Sequence, residues 1–327
     1  MDRRTFTSLA PAGLFCMSFS TAAQQAGKVW RVGLLHGGPR PQDGVVPAPL
    51  RNALQALGYV EGKDIAYEGR WGEARNERLP ALAAELVTLK VDLIVTIGGP
   101  SAAAAKNATT TLPIVVVYAG DTVETGLVAS LARPGGNVTG INDPAAILSA
   151  KRLEFLKELV PAAKRVAVLW NTGDNAMTLR YREIEKAAHV LRVNIDPLPV
   201  REPDDFDVAL SAMNRSRPDA LMMVSDALTT LNRKRVIDYA ALHRIPAIYE
   251  FDVVTRSGGL MSYGSDQGES MKLAASYVGR IFKGAKPADL PVEQPNRYYF
   301  VINKKTATAL GVTIPQTLLL RADEMID

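Results

Sequence analysis

One cysteine, Cys16, and three histidines in 327 residues leave little material for thiol or metal chemistry. Cys16 falls in an amino-terminal segment that reads as an export signal, so the mature chain is expected to hold neither a disulfide nor a thiol nucleophile. His36, His189 and His243 stand far apart, and no His, Cys and carboxylate cluster has metal-ligand spacing. Neither G-x-G-x-x-G nor G-x-x-x-x-G-K-[ST] occurs at a strand–helix turn, which leaves dinucleotide and nucleotide binding unsupported. G-x-S-x-G is missing too, against an α/β-hydrolase. No cofactor and no catalytic residue are expected. An excess of one charge is also absent: 38 Lys and Arg are spread among 34 Asp and Glu, for a net charge of +4. The dense run Arg233–Lys234–Arg235 lies in a helical pattern and reads as a solvated face, so nucleic acid is not an expected partner.

The chain does carry a signal-like start. Arg3 and Arg4 form a positive region, Leu9–Phe19 an apolar segment too short to span a bilayer, and Thr21–Ala22–Ala23 a small-residue cleavage site. Residues 1–23 are therefore expected to be removed by a Sec or twin-arginine route, leaving a mature periplasmic chain that begins near Gln24. Bulky Phe15 argues against a lipid anchor on Cys16. A hydrophobic content of 47% in a chain of this length supports two cores of ordinary size.

The most informative stretch is VDLIVTIGGPSAAAA, Val91–Ala105. Its apolar run reads as a parallel strand buried on both faces, halted at Gly98–Gly99–Pro100. Ser101 is then placed to cap an alanine-rich helix whose first N–H groups point out of the strand's carboxyl end, a receptacle for a carboxylate. Around it, strands and helices alternate. Strands are expected at Val29–Leu35, Asp64–Arg70 and Pro113–Tyr118, and helices at Leu50–Leu57, Glu77–Lys90 and Glu124–Leu131. The order then restarts: RVGLLHGG at Arg31 is answered by RVAVLWNTG at Arg165, VDLIVTIGGPSAAA by PDALMMVSDALTT, and LPIVVVYAGD by IPAIYEFD.

The expected fold class is α/β, with two similar doubly wound parallel-sheet lobes joined by three crossing strands. Residues 28–140 and 262–291 are assigned to lobe 1, and 141–261 and 292–327 to lobe 2. Ligands of open α/β sheets bind outside strand carboxyl ends, so the site is expected in the cleft between lobes.

The segments LRNALQALGYVEGKDI, RLPALAAELVTLKVDLIVTIGGPSAAAA, IVVVYAGDTVETGLVASLARPGGNVTGI, GRIFKGAKPADLPVEQP and VINKKTATALGVTIP cover essentially the whole mature chain. In order and spacing they resemble the ABC transporter substrate-binding family related to the tryptophan-type binding proteins. The resemblance implies a type I periplasmic-binding fold that closes on a small ligand and presents it to a membrane permease. By position it implies that Ser101 and the N–H groups around Ala102 receive a ligand carboxylate, that Asp226 takes an ammonium, and that Asp121 is the acidic loop residue after the fourth strand. Two departures bear on the ligand: Gly99–Pro100–Ser101 replaces the Thr-Pro of many relatives, and Ser225–Asp226–Ala227 replaces Thr-Asp-Asn.

His36, Gly37, Gly99, Tyr118, Asn171, Ser225, Ala227, Tyr249, Glu250 and Tyr263 complete the candidate ligand-binding set, with Trp170 at a further strand end. Structural alternatives stand beside these: Asp226 and Asp121 as helix caps, and the aromatic residues as packing between loops. The expected function is an exported receptor that captures a small carboxylate-bearing molecule such as an amino acid, as a monomer that is not an enzyme. A sensor module of the same fold, or an α/β enzyme, is the alternative.

Overall fold

The computed structural model describes residues 28–42 and 44–327, so the expected signal at 1–23 lies outside the described residues. Among the described residues no helix is long and apolar enough to cross a membrane. Five strands, β1 (Trp30–His36), β2 (Ile65–Trp71), β3 (Leu93–Ile97), β4 (Ile114–Val117) and β5 (Val138–Gly140), make a parallel sheet in the order β2-β1-β3-β4-β5. A second sheet holds β6 (Arg165–Asn171), β7 (Asn194–Val200), β8 (Ala220–Met223), β9 (Ala247–Tyr249), β10 (Met261–Ser265), β11 (Tyr298–Asn303) and β12 (Glu324–Ile326). Its order is β7-β6-β8-β9-β10-β11-β12, so its first five strands repeat the path of the first sheet. Every pairing is parallel except β10 with β11.

Helices cover both faces of each sheet, as parallel strands with apolar side chains on both sides require. On the first sheet, alternation along β1 sends Val32 and Leu34 toward α1 (Ala48–Ala56) and sends Leu35 toward α2 (Leu79–Thr88) and α3 (Gly99–Ala108). The second sheet is flanked by α4 (Ala145–Leu159), α5 (Asn175–Leu191), α6 (Asp205–Ser216), α7 (Ala227–Leu231), α8 (Arg233–Leu242) and α9 (Asp252–Arg256). α10 (Gln267–Phe282) leaves the second sheet and packs Met271, Ala274 and Tyr277 beside α1 on the first. α11 (Lys304–Leu310) and α12 (Gln316–Leu319) return to the second sheet, where Leu310 and Leu318 join its core.

The chain crosses three times: from β5 into α4, from β10 into α10, and through the segment before β11. The first and third run side by side, with Ile141 bridged to Glu293 and the Asn142 N–H donating to the Glu293 carbonyl at 2.8 Å. One local expectation fails. Glu124–Leu131 is a series of turns, because Gly126 takes φ +72° and the Asp121 carboxylate binds the N–H groups of Val123 and Glu124 instead of letting a helix propagate. After β8 the chain forms two helices, α7 and α8, separated at Asn232.

Candidate functional site

Strand carboxyl ends of both sheets converge on one cavity of about 330 Å³. The first lobe contributes His36, Gly37 and Gly38 at the end of β1, Gly98, Pro100 and Ser101 after β3, and Tyr118 after β4. The second contributes Asp174, Met177 and Arg180 at the start of α5, Ser225, Asp226 and Ala227 after β8, and Phe251 after β9. The lobes touch around it. Asn76 Nδ2 donates to the Gly173 carbonyl at 3.5 Å, and a Cβ placed on Gly37 would come within 3.5 Å of Ala227 Cβ. A Cβ on Gly120 would stand only 2.5 Å from Ala176 Cβ, so closure uses the missing side chain.

Ser101 does not cap α3. Gly98 takes φ +92° at the cap with no side-chain hydrogen bond, and the helix begins at Gly99 with Pro100 in its first turn. The Ser101 hydroxyl is consequently buried without a protein hydrogen-bond partner. Ser225, on the opposite rim, has a buried hydroxyl in the same condition. Such groups cost stability unless a guest satisfies them.

Asp226 is both a cap and part of the cavity wall. Its Oδ1 accepts from the Thr229 N–H at 2.9 Å in a capping box, and its Oδ2 accepts from Asn171 Nδ2 at 2.5 Å. Burial pushes its carboxyl pKa up, against the lowering effect of these donors. Asp174 caps α5 through the Ala176 N–H, and burial, with the nearby Asp226 charge, pushes its pKa up to about 7. Two carboxyls that resist ionisation in the same wall favour an incoming cation.

Beneath them lies a buried charge network. Arg180 donates through Nη1 to Glu250 and through Nη2 to Asp143, each at 2.7 Å, and Arg152 stands 3.5 Å from Glu250. Burial opposes the Arg180 charge, but Glu250 and Asp143 outweigh it and keep its pKa above the ordinary value. Glu250 also accepts from the Ser225 N–H at 3.3 Å, tying the network to the rim. Tyr118 takes φ +55°, a conformation unusual for a bulky residue, and its hydroxyl donates to the Gln267 carbonyl while its ring lies 5.6 Å from that of Phe251.

Of the sequence candidates, the structure brings His36, Gly37, Ser101, Tyr118, Ser225, Asp226 and Ala227 onto the cavity. The others are elsewhere. Ala102 is in the core under α3, and Gly99 stands against Asp174 beside the cavity. Asp121 only caps its turn, Asn171 braces Asp226 and the Gly173 N–H, and Glu250 braces Arg180. Tyr249 is core, Tyr263 packs on Phe155 and Phe300, and Trp170 stacks on Tyr181 at 3.8 Å. Arg233, read as solvated, lines the cavity, whereas Lys234 and Arg235 pair with Asp238 and Asp207.

Sequence reasoning missed Asp174, Met177, Arg180, Asn76, Phe251 and Met271. Asp174 carried a signal, since it follows a strand end and precedes a helix. Arg180 carried none, because the partners that bury it are 37 and 70 residues away in sequence.

A cavity between two duplicated α/β lobes with three crossings defines a type I periplasmic-binding fold. A conserved domain protein from Vibrio cholerae O1 biovar El Tor has a similar structure, with a TM-score of 0.84 at 26% identity over 91% of this chain and 100% of that one. The same values hold for an ABC domain from Streptococcus pneumonia solved in complex with L-Trp. The chain belongs to the family described as ABC transporter substrate binding protein, which it matches over residues 46–326. A tyrosine-binding protein of Clostridioides difficile strain R20291 is 30% identical over 260 residues, 80% of this chain and 74% of that protein.

Proposed function

We propose that this chain is the exported receptor of an ABC importer and that it captures one free α-amino acid with an aromatic side chain, closing its lobes on it and presenting it to a permease. The observation that carries this reading is that one cavity is lined by both acidic or hydroxyl groups and apolar side chains. Asp174, Asp226 and the unpaired Ser225 hydroxyl on one rim face the first turn of α3 with the unpaired Ser101 hydroxyl on the other, while Ile97, Met177, Phe251 and Met271 line much of the rest. The acids suit the ammonium and the helix start suits the carboxylate. Charge-assisted contacts of about 1.5–3 kcal/mol each, with apolar burial, reach the roughly 8 kcal/mol of micromolar binding.

The L-Trp complex and the tyrosine-binding relative support an aromatic ligand. Since a ligand drives closure only through contacts to both lobes, each rim is required. The protein works as a monomer in the periplasm without cofactor, metal or nucleic acid, and catalyses nothing. The test is to denature the purified protein and identify any released small molecule by mass spectrometry. An aromatic amino acid is the expected product. A sugar, a polyamine or a fatty acid would contradict the reading.

A further inference from the structure

The cavity contains one group that its surroundings do not explain. Alternation along β1 places the His36 side chain on the same sheet face as Val32 and Leu34, the face covered by α1 and α10. Ile97 and Met271 from the core on that face line the cavity together with Pro47 and Pro49, and Tyr118 packs against the same core. No described residue makes a hydrogen bond to either His36 ring nitrogen, and burial alone lowers its pKa to about 4. The ring is therefore neutral at physiological pH, with one nitrogen able to accept and the other able to donate.

Room for the ring is supplied by Gly38. A Cβ there would fall 2.7 Å from His36 Cε1 and 3.0 Å from Nε2, closer than side chains tolerate. An imidazole kept in an apolar pocket, without a partner and with the next-but-one residue stripped to make space for it, is arranged for a hydrogen bond from outside the chain.

We infer that His36 reads a polar hydrogen on the ligand's ring, so that the receptor selects aromatic amino acids bearing a ring O–H or N–H over those with a bare hydrocarbon ring. This rests on the reading that an aromatic α-amino acid occupies the cavity. A phenol or an indole gives the imidazole its hydrogen bond; a phenyl ring leaves both nitrogens buried and unsatisfied, the condition under which binding sites discriminate most strongly.

The test is calorimetric titration of the ligand-free full chain with L-tyrosine, L-tryptophan and L-phenylalanine, alongside His36→Phe, Gly38→Ala and Asp226→Asn. The parent is expected to bind tyrosine or tryptophan at least tenfold more tightly than phenylalanine. His36→Phe should bring that ratio to within about twofold by weakening the polar-ring ligand, with phenylalanine unaffected or improved. Gly38→Ala, which displaces the ring without removing it, should lower the ratio in the same direction and serves if His36→Phe does not fold. Asp226→Asn should weaken all three alike and leave the ratio standing. A parent ratio near one, or a ratio that survives both His36→Phe and Gly38→Ala, overturns the role of His36 while leaving amino acid capture intact. Failure of the parent to bind any of the three overturns both.

Discussion

The two walls of the cavity come from equivalent positions of a repeated scaffold, yet their chemistry is different. At the end of β1 the first lobe offers His36–Gly37–Gly38; at the end of β6 the second offers Asn171–Thr172–Gly173–Asp174. After β3 stand Gly98–Gly99–Pro100–Ser101, and after β8 stand Ser225–Asp226–Ala227. The first wall holds neutral donors and apolar side chains. The second holds charge, and it can do so because Asp143, Glu250, Arg152 and Arg180 are buried together beneath it. A shared fold fixes where a ligand lies, and the residues at matching strand ends fix which part of the ligand each lobe holds.

The largest effect should come from breaking the charged wall at its support. Arg180→Met leaves Asp143 and Glu250 buried with less compensation, and unfolding by denaturant should show a loss of about 3–5 kcal/mol. A loss under 1 kcal/mol would mean that the network is already hydrated and supports nothing.

A second test sets the two walls against each other by pH. Asp174 has a folded pKa of about 7, raised from 3.8, so its contribution to stability is full below 3.8 and is lost as pH rises through 7. His36 is depressed from 6.5 to about 4, so its contribution is full above 6.5 and is lost as pH falls through 4. Between those limits the two oppose one another. Asp174→Asn removes one side, so the variant should gain on the parent between pH 4.5 and 8 by on the order of 2 kcal/mol. A constant difference across that range would show that Asp174 is ionised throughout.

The smallest effects come from trimming each rim. Asp226→Asn keeps a good helix cap and removes the charge, and should weaken ligand binding at least tenfold, about 1.4 kcal/mol, with little change in stability. Ser101→Leu should do likewise by filling the other rim. Unchanged affinity in Asp226→Asn would reduce that residue to its capping role.

Much of the fold was legible because it rests on local pattern. The apolar run Leu93–Ile97 and its answer at Ala220–Met223 are strands wherever they are packed, and the match of RVGLLHGG to RVAVLWNTG announced the duplication that the sheet orders display. The site was legible in position and only partly in membership. Ser101 and Asp226 were found because strand ends and helix starts can be read from spacing. Tyr249, Glu250 and Tyr263 were expected on the cavity and lie off it, because a strand end gives no indication of which residue turns inward. Arg180 and Met177 were missed because they reach the cavity from inside a helix, where only tertiary packing makes them different from their neighbours.

One wall of the cavity is expected to hold an ammonium while the other holds a carboxylate. Calorimetric titration of the ligand-free protein with L-tyrosine, with tyramine, which lacks the carboxylate, and with 3-(4-hydroxyphenyl)propionate, which lacks the ammonium, tests it most directly. One tyrosine should bind per chain at about micromolar affinity or tighter, with both analogues weakened at least tenfold. Equal binding of either analogue would contradict it.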